Sequence, residues 1–190
     1  MIIVISGPSG VGKGTVVQKL IEKNPHFVRS ISCTTRKPRE GEKNGRDYHF
    51  INEDKFFELI QKNDLAEFAF VHGYHYGTPL KNLTKEKTDV ILQIDVQGAK
   101  KIKNRFPEAL LIFLLPPSME ILTNRLTGRG TETEEEQERR LKRAKEEIKE
   151  RTFYDYIVVN DDIKRVVSKI EKIIEKEHKL HQQNKTTSSQ

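Results

Sequence analysis

The sequence predicts an α/β fold: a parallel sheet covered on both faces by helices, in three layers. Three observations predict it. Short, uniformly apolar runs suit strands buried on both faces, amphipathic stripes at helical spacing follow them, and a glycine-rich turn joins the first run to the first stripe. Strands alternating with helices favour parallel pairing through helical crossovers.

The first run is Ile2 to Ile5, closed by Ser6-Gly7, and a helix is predicted from near Lys13, turning Val16, Val17, Leu20 and Ile21 inward. Further buried strands are predicted at Val90 to Ile94, Leu110 to Leu115 and Tyr156 to Val159. One helix carries Val96, Ala99 and Ile102. Another starts after Pro116-Pro117 with Ser118 as N-cap and Ile121 and Leu122 on its inner face. The last has a stripe of Ile163, Val166, Val167, Ile170, Ile173 and Ile174.

Two stretches break this rhythm. Residues 33–83, rich in Gly, Pro, Tyr and charge with one short helix around Phe56, Phe57 and Ile60, read as an inserted subdomain. Residues 127–151 are almost wholly charged, with only Leu141, Ala144 and Ile148 to anchor a helix, which suits a mobile lid. The core is then 1–32, 84–126 and 152–177 of a single domain, and the polar tail 178–190 is expected to be disordered.

Composition narrows the function classes. The chain has 190 residues, of which 35% are hydrophobic and 33% charged, as in a water-soluble domain. It has neither the ~20 successive apolar residues of a membrane span nor a basic flank before the first apolar run, so neither membrane insertion nor export is expected, and the cytoplasm is the expected compartment. The single cysteine, Cys33, cannot form an internal disulfide and reads as a small buried thiol. A formal net charge of +6 suits polyanionic ligands; no nucleic-acid-binding motif accompanies it, so free nucleotides are the better match.

The glycine-rich turn is Gly7-Pro8-Ser9-Gly10-Val11-Gly12-Lys13-Gly14-Thr15, a phosphate-binding P-loop in its required place between strand and helix. Its glycines let successive N–H groups face phosphate oxygens, the helix N-terminus adds positive potential, and Lys13 supplies a cation for the β- and γ-phosphates. Gly14 stands where Ser or Thr usually helps to hold Mg²⁺. The metal would therefore be held mainly by phosphates and water, with Thr15 as the candidate protein ligand.

A second phosphate site is predicted in the insert. Arg36 and Arg39, stiffened by Pro38 and followed by Gly41, make a guanidinium fork, and Tyr48 and Tyr76 offer hydroxyl donors. His72 and His75 lie three apart, but nothing completes a metal set around them.

In these motifs the chain resembles the guanylate kinases, P-loop nucleoside monophosphate kinases. The matching pieces are the P-loop, Thr34-Thr35-Arg36-Lys37-Pro38-Arg39, Gly45-Arg46-Asp47-Tyr48, His75-Tyr76-Gly77-Thr78, Ile94-Asp95-Val96-Gln97-Gly98, Arg125-Leu126-Thr127-Gly128-Arg129-Gly130-Thr131-Glu132 and Val159-Asn160-Asp161-Asp162. They run in the family's order from residue 1 to about 177, leaving out only the tail.

The resemblance implies transfer of a phosphoryl group from ATP, with Mg²⁺, to GMP, leaving dGMP open as an acceptor and the oligomeric state unread. Arg36, Arg39, Tyr48 and Tyr76 would grip the GMP phosphate, and Ser32, Glu67, Thr78 and Asp95 would surround the guanine. Chemistry supports Glu67, since a carboxylate accepts from N1–H and the 2-amino group together, which adenine cannot offer. Asn160 would lie near the adenine of ATP. Lys13, Arg36, Arg125, Arg129 and Arg140 form the expected catalytic set, with Arg139 a rival to Arg140. The family often has an acid where this chain has Gln93, so help to the metal there would pass through water or Asp95.

Overall fold

The apolar runs become strands and the stripes become helices, in a computed structural model that describes residues 1–71, 73–84, 88–127 and 134–187. In chain order these are β1 (Ile2–Ser6), α1 (Lys13–Lys23), β2 (Phe27–Arg29), β3 (Cys33–Thr34), β4 (His49–Phe50), α2 (Glu53–Gln61), β5 (Leu65–Val71) and β6 (Tyr74–Pro79). They continue with β7 (Asp89–Gln93), α3 (Val96–Arg105), β8 (Leu110–Leu115), α4 (Met119–Thr127), α5 (Glu134–Lys149), β9 (Tyr156–Val159) and α6 (Ile163–Thr187). The chain divides into two compact units, one of Met1–Ser6 with Asn24–Leu111, the other of Gly7–Lys23 with the chain from Ile112 onward.

In the first unit β7 lies between β2 and β1, pairing parallel with both, in registers that include Val28↔Val90 and Ile3↔Ile91. Ile3, Val4, Ile5, Ile91, Ala99 and Ile102 are fully buried, as strands and a helix of the predicted periodicities require. The insert adds a four-stranded sheet in the order β4-β3-β6-β5. Helix α2, capped by the Asn52 side chain on Lys55 N (2.9 Å), packs Phe56 against Cys33 and Leu65. Burial raises the pKa of the Cys33 thiol, so it behaves as a small apolar residue.

In the second unit β8 and β9 pair parallel from Ile112↔Tyr156 to Leu115↔Val159. Val16, Val17 and Leu20 of α1 are buried, as are Val166, Val167, Ile170, Ile173 and Ile174 of α6. Helix α5 has an anchor: Ala144 is fully buried against Leu122 and Leu126 of α4, flanked by Leu141 and Ile148. The Ser118 hydroxyl caps α4 by accepting from Ile121 N at 3.1 Å, as predicted.

Three expectations need correction. Strand β9 is not buried on both faces: it ends the strand order, and Ile157 and Val159 are exposed. Ile121 is exposed rather than inward, because Leu122 and Leu126 already form the inner stripe of a short helix. The tail is not irregular from 178, since α6 continues to Thr187. Lys, Glu, Leu and Gln are good helix formers, and Tyr156 ties the helix down by donating to Glu177 (2.6 Å) and accepting from Lys176 (3.1 Å). No helix among the described residues is long and apolar enough to cross a membrane.

Candidate active site

The second unit carries the P-loop. After β1 the chain curls through Gly7, Gly10 and Gly12, all at positive φ, and Val11 N closes a turn on Pro8 O (3.2 Å) before α1 begins at Lys13. Gly12 has two reasons to be glycine. Its φ of +97° is strained for any L side chain, and a Cβ would stand 2.7 Å from Asn160 Nδ2.

Cations gather at this loop. Lys13 Nζ donates to Gly7 O (2.6 Å) and Pro8 O (3.1 Å), Arg125 Nη1 donates to Val11 O (3.2 Å), and Arg140 Nη2 donates to Ser9 Oγ (2.9 Å). Asn160 Nδ2 shares the Val11 carbonyl at 2.6 Å. Of the two candidate arginines on α5, Arg140 is the one that reaches the loop, while Arg139 is exposed. Arg129 lies outside the described residues, as does His72. Thr15 is exposed on the first turn of α1.

The first unit holds the remaining predicted residues. Arg36 is 8% exposed, and each of its nitrogens has a partner: Nε donates to Tyr76 OH (3.2 Å), Nη1 to Lys37 O (2.7 Å) and Nη2 to Glu42 Oε1 (2.9 Å). Its guanidinium lies 5.6 Å over the Tyr48 ring and 5.7 Å over that of Phe50. Burial favours the neutral form of Arg36, but Glu42 and Tyr76 outweigh it and raise its pKa. Burial also raises the Tyr48 phenol, keeping it a donor. The Arg39 side chain is exposed, while its backbone N donates to Glu42 Oε2 at 2.7 Å.

Glu42 was missed in the sequence. It serves both predicted arginines, and its signal was only its spacing, three residues past Arg39 and six past Arg36. His75, weighed as a metal ligand, is packed among Phe56, Phe57 and Phe70 with ring centroids 4.9–5.3 Å away.

A carboxylate-rich corner completes this unit. Glu67 is 5% exposed and its Oε1 accepts from Thr78 Oγ1 at 2.6 Å; Thr78 and Ser32 are buried. Asp95 caps α3, its Oδ1 accepting from Gly98 N at 2.8 Å. A Cβ at Gly98, part of the Ile94–Gly98 motif, would sit 2.7 Å from Glu67 Oε2, so its bareness makes room for the carboxylate. Burial pushes the pKa of Glu67 up to about 7; the Thr78 bond opposes this, Asp95 adds to it, and Lys101 opposes it. Gln93 Oε1 is buried without a hydrogen-bond partner among the described residues.

The family model described as guanylate kinase matches residues 1–177. The chain is similar to the guanylate kinase of Caldanaerobacter subterraneus subsp. tengcongensis, 52% identical over 92% of this chain and 86% of that one. It is similar also to that of Clostridioides difficile, 47% identical over 93% of this chain and 88% of the relative. Among solved structures, the guanylate kinase of Anaplasma phagocytophilum superposes with a TM-score of 0.79 at 38% identity, covering 93% of this chain and 85% of the other.

Proposed function

The chain belongs to the guanylate kinase family, and from that premise we propose how its residues divide the work of moving a phosphoryl group from ATP to GMP. The reaction is ATP plus GMP giving ADP plus GDP. A GMP phosphate oxygen attacks the γ-phosphorus in line as the bond to the ADP oxygen breaks, so the protein's task is placement and charge neutralisation.

On the acceptor side Arg36 and Arg39 bind the GMP phosphate, with Tyr48 and Tyr76 donating hydroxyls. Glu42, which already occupies Arg36 Nη2, would yield that donor to the more highly charged phosphate. Glu67 accepts from guanine N1–H and the 2-amino group, Thr78 steadies the carboxylate, and Ser32 and Asp95 complete the surround. The observation that carries this reading is the buried Glu67 carboxyl: an ionisable group with so little exposure calls for specific polar partners.

On the donor side the backbone of residues 7–15 cradles the ATP phosphates, Asn160 stands by the adenine, and Lys13, Arg125 and Arg140 neutralise charge on the transferring group, with Arg129 a further member of the set. The charged segment 127–151 is assigned to excluding water once both nucleotides are bound, and 33–83 to holding GMP.

The cation that this transfer calls for would be bound mainly by the nucleotide phosphates and water. Mg²⁺ of that kind, with Thr15 as the protein's candidate ligand, supplies further charge neutralisation at the phosphates.

The test is ADP production from MgATP with GMP, dGMP, AMP, CMP or UMP as acceptor. Turnover with the guanine nucleotides alone is expected, and Glu67→Gln should weaken GMP use most. Equal turnover with AMP would remove the base assignment.

A further inference from the structure

The Glu67 side chain is aimed by an irregularity in the strand that carries it. β5 and β6 pair antiparallel, but the register shifts there: Leu65 stands opposite Pro79 and Glu67 opposite Thr78, so Ala66 is an extra residue. Leu65, Ala66 and Glu67 are buried in succession before alternation resumes with Phe68 exposed and Ala69 buried. This is a β-bulge, which bends a strand and re-aims the side chains beside it.

A bulge disrupts the ladder, and Pro79 has no N–H to offer the Leu65 carbonyl. Arg105 supplies a donor instead. Its Nη1 donates to Leu65 O at 2.9 Å and to Ala66 O at 3.3 Å, bridging the two carbonyls that precede Glu67. On the other side, Lys101 donates to Phe68 O and lies 4.5 Å over the Phe68 ring. Gly98, Lys101 and Arg105 are three and four apart and so share one face of α3, the face that meets β5. The same helix therefore makes room for the Glu67 carboxylate with its first turn and fixes the backbone on both sides of it with later ones.

We propose that Arg105 is a positioning residue for base recognition: by holding the bulge carbonyls it aims Glu67 at the 2-amino edge of guanine. This rests on the reading of Glu67 given above. Arg105 is an exposed side chain, so its removal leaves no cavity and lets water reach the two carbonyls. The cost falls on aim rather than on folding.

The test compares kcat/KM for GMP with that for IMP, whose base keeps N1–H and lacks the 2-amino group, at saturating ATP. The GMP/IMP ratio is independent of the fraction of enzyme that is folded. Arg105→Gln is expected to lower the ratio about threefold to tenfold through KM for GMP, leaving KM for ATP unchanged. Arg105→Lys, which keeps one donor, should fall between it and the parent. Glu67→Gln should collapse the ratio, and the double variant should fall no further. A parental ratio in both Arg105 variants, alongside a collapse in Glu67→Gln, would overturn the proposal and leave the reading of Glu67 standing. Additive losses in the double variant would overturn it too. A parental ratio in Glu67→Gln would instead remove the reading on which it rests.

Discussion

In the role proposed for Glu67, its protonation decides whether it can act. With its pKa pushed up to about 7 by burial, a large share of the carboxyl is protonated near neutrality in the free protein, and only the ionised form accepts from both guanine donors. We expect kcat/KM for GMP to fall as pH drops below about 7, taken as the ratio to Glu67→Gln so that titration of the GMP phosphate cancels. A flat ratio between pH 5.5 and 8 would contradict this. Stability should move the opposite way. The native pKa lies above the ordinary glutamate value of about 4.5, so the native state binds more protons between those values. Glu67 thus contributes stability that is fully present below about 4.5 and lost as pH rises through about 7. Denaturation of the parent against Glu67→Gln should show the parent relatively weaker at pH 8 than at pH 5. Gly98 offers a steric counterpart: in Gly98→Ala the new methyl, 2.7 Å from Glu67 Oε2, displaces the carboxylate. KM for GMP should rise about tenfold or more with KM for ATP unchanged, and unaltered GMP kinetics would show that the carboxylate has room to move.

At the scale of the elements, what was legible in the sequence follows from range. β1, β7, β8, β9, α1, α3 and α6 announce themselves because each carries its own apolar run or stripe. The insert's sheet does not: β3 and β4 have two residues each, and β6 reads Tyr-His-Tyr-Gly-Thr-Pro, so their pairing is decided by distant partners rather than by local pattern. The site divides likewise. The glycine-rich turn of residues 7–15 and the pair Arg36 and Arg39 each lie within one short stretch, where local pattern singles them out. Arg105 meets Leu65 forty residues away, and no periodicity records that contact. The α4–α5 seam gives a test at this scale. Leu126 is 1% exposed, packs on Ala144, and lies where a Cβ on Gly10 would come within 2.8 Å of its Cδ2. Leu126→Ala should cost about 2–5 kcal/mol in denaturant unfolding and also raise KM for ATP by loosening the support under the loop. A loss of stability with parental ATP kinetics would confine the seam to folding.

For the whole molecule, the contacts described for the P-loop all arise within one compact unit, and those described for Arg36, Glu67 and their neighbours all arise within the other. A net charge of +6 draws both nucleotides, but the groups proposed to discriminate between them belong to different units. Binding of each nucleotide alone should therefore be separable where turnover is not. Lys13→Met removes the cation at the P-loop and Arg36→Gln the buried guanidinium with its three partners. By calorimetry with one nucleotide at a time, Lys13→Met should weaken ATP binding and leave GMP binding at the parental value. Arg36→Gln should weaken GMP binding by about a hundredfold, the scale of one or two charged hydrogen bonds, and leave ATP binding alone. Phosphoryl transfer needs both substrates placed and neutralised, so each variant should lose at least about a hundredfold in kcat/KM. If Arg36→Gln weakened ATP binding as much as GMP binding, the guanidinium would be supporting the fold as a whole rather than one phosphate.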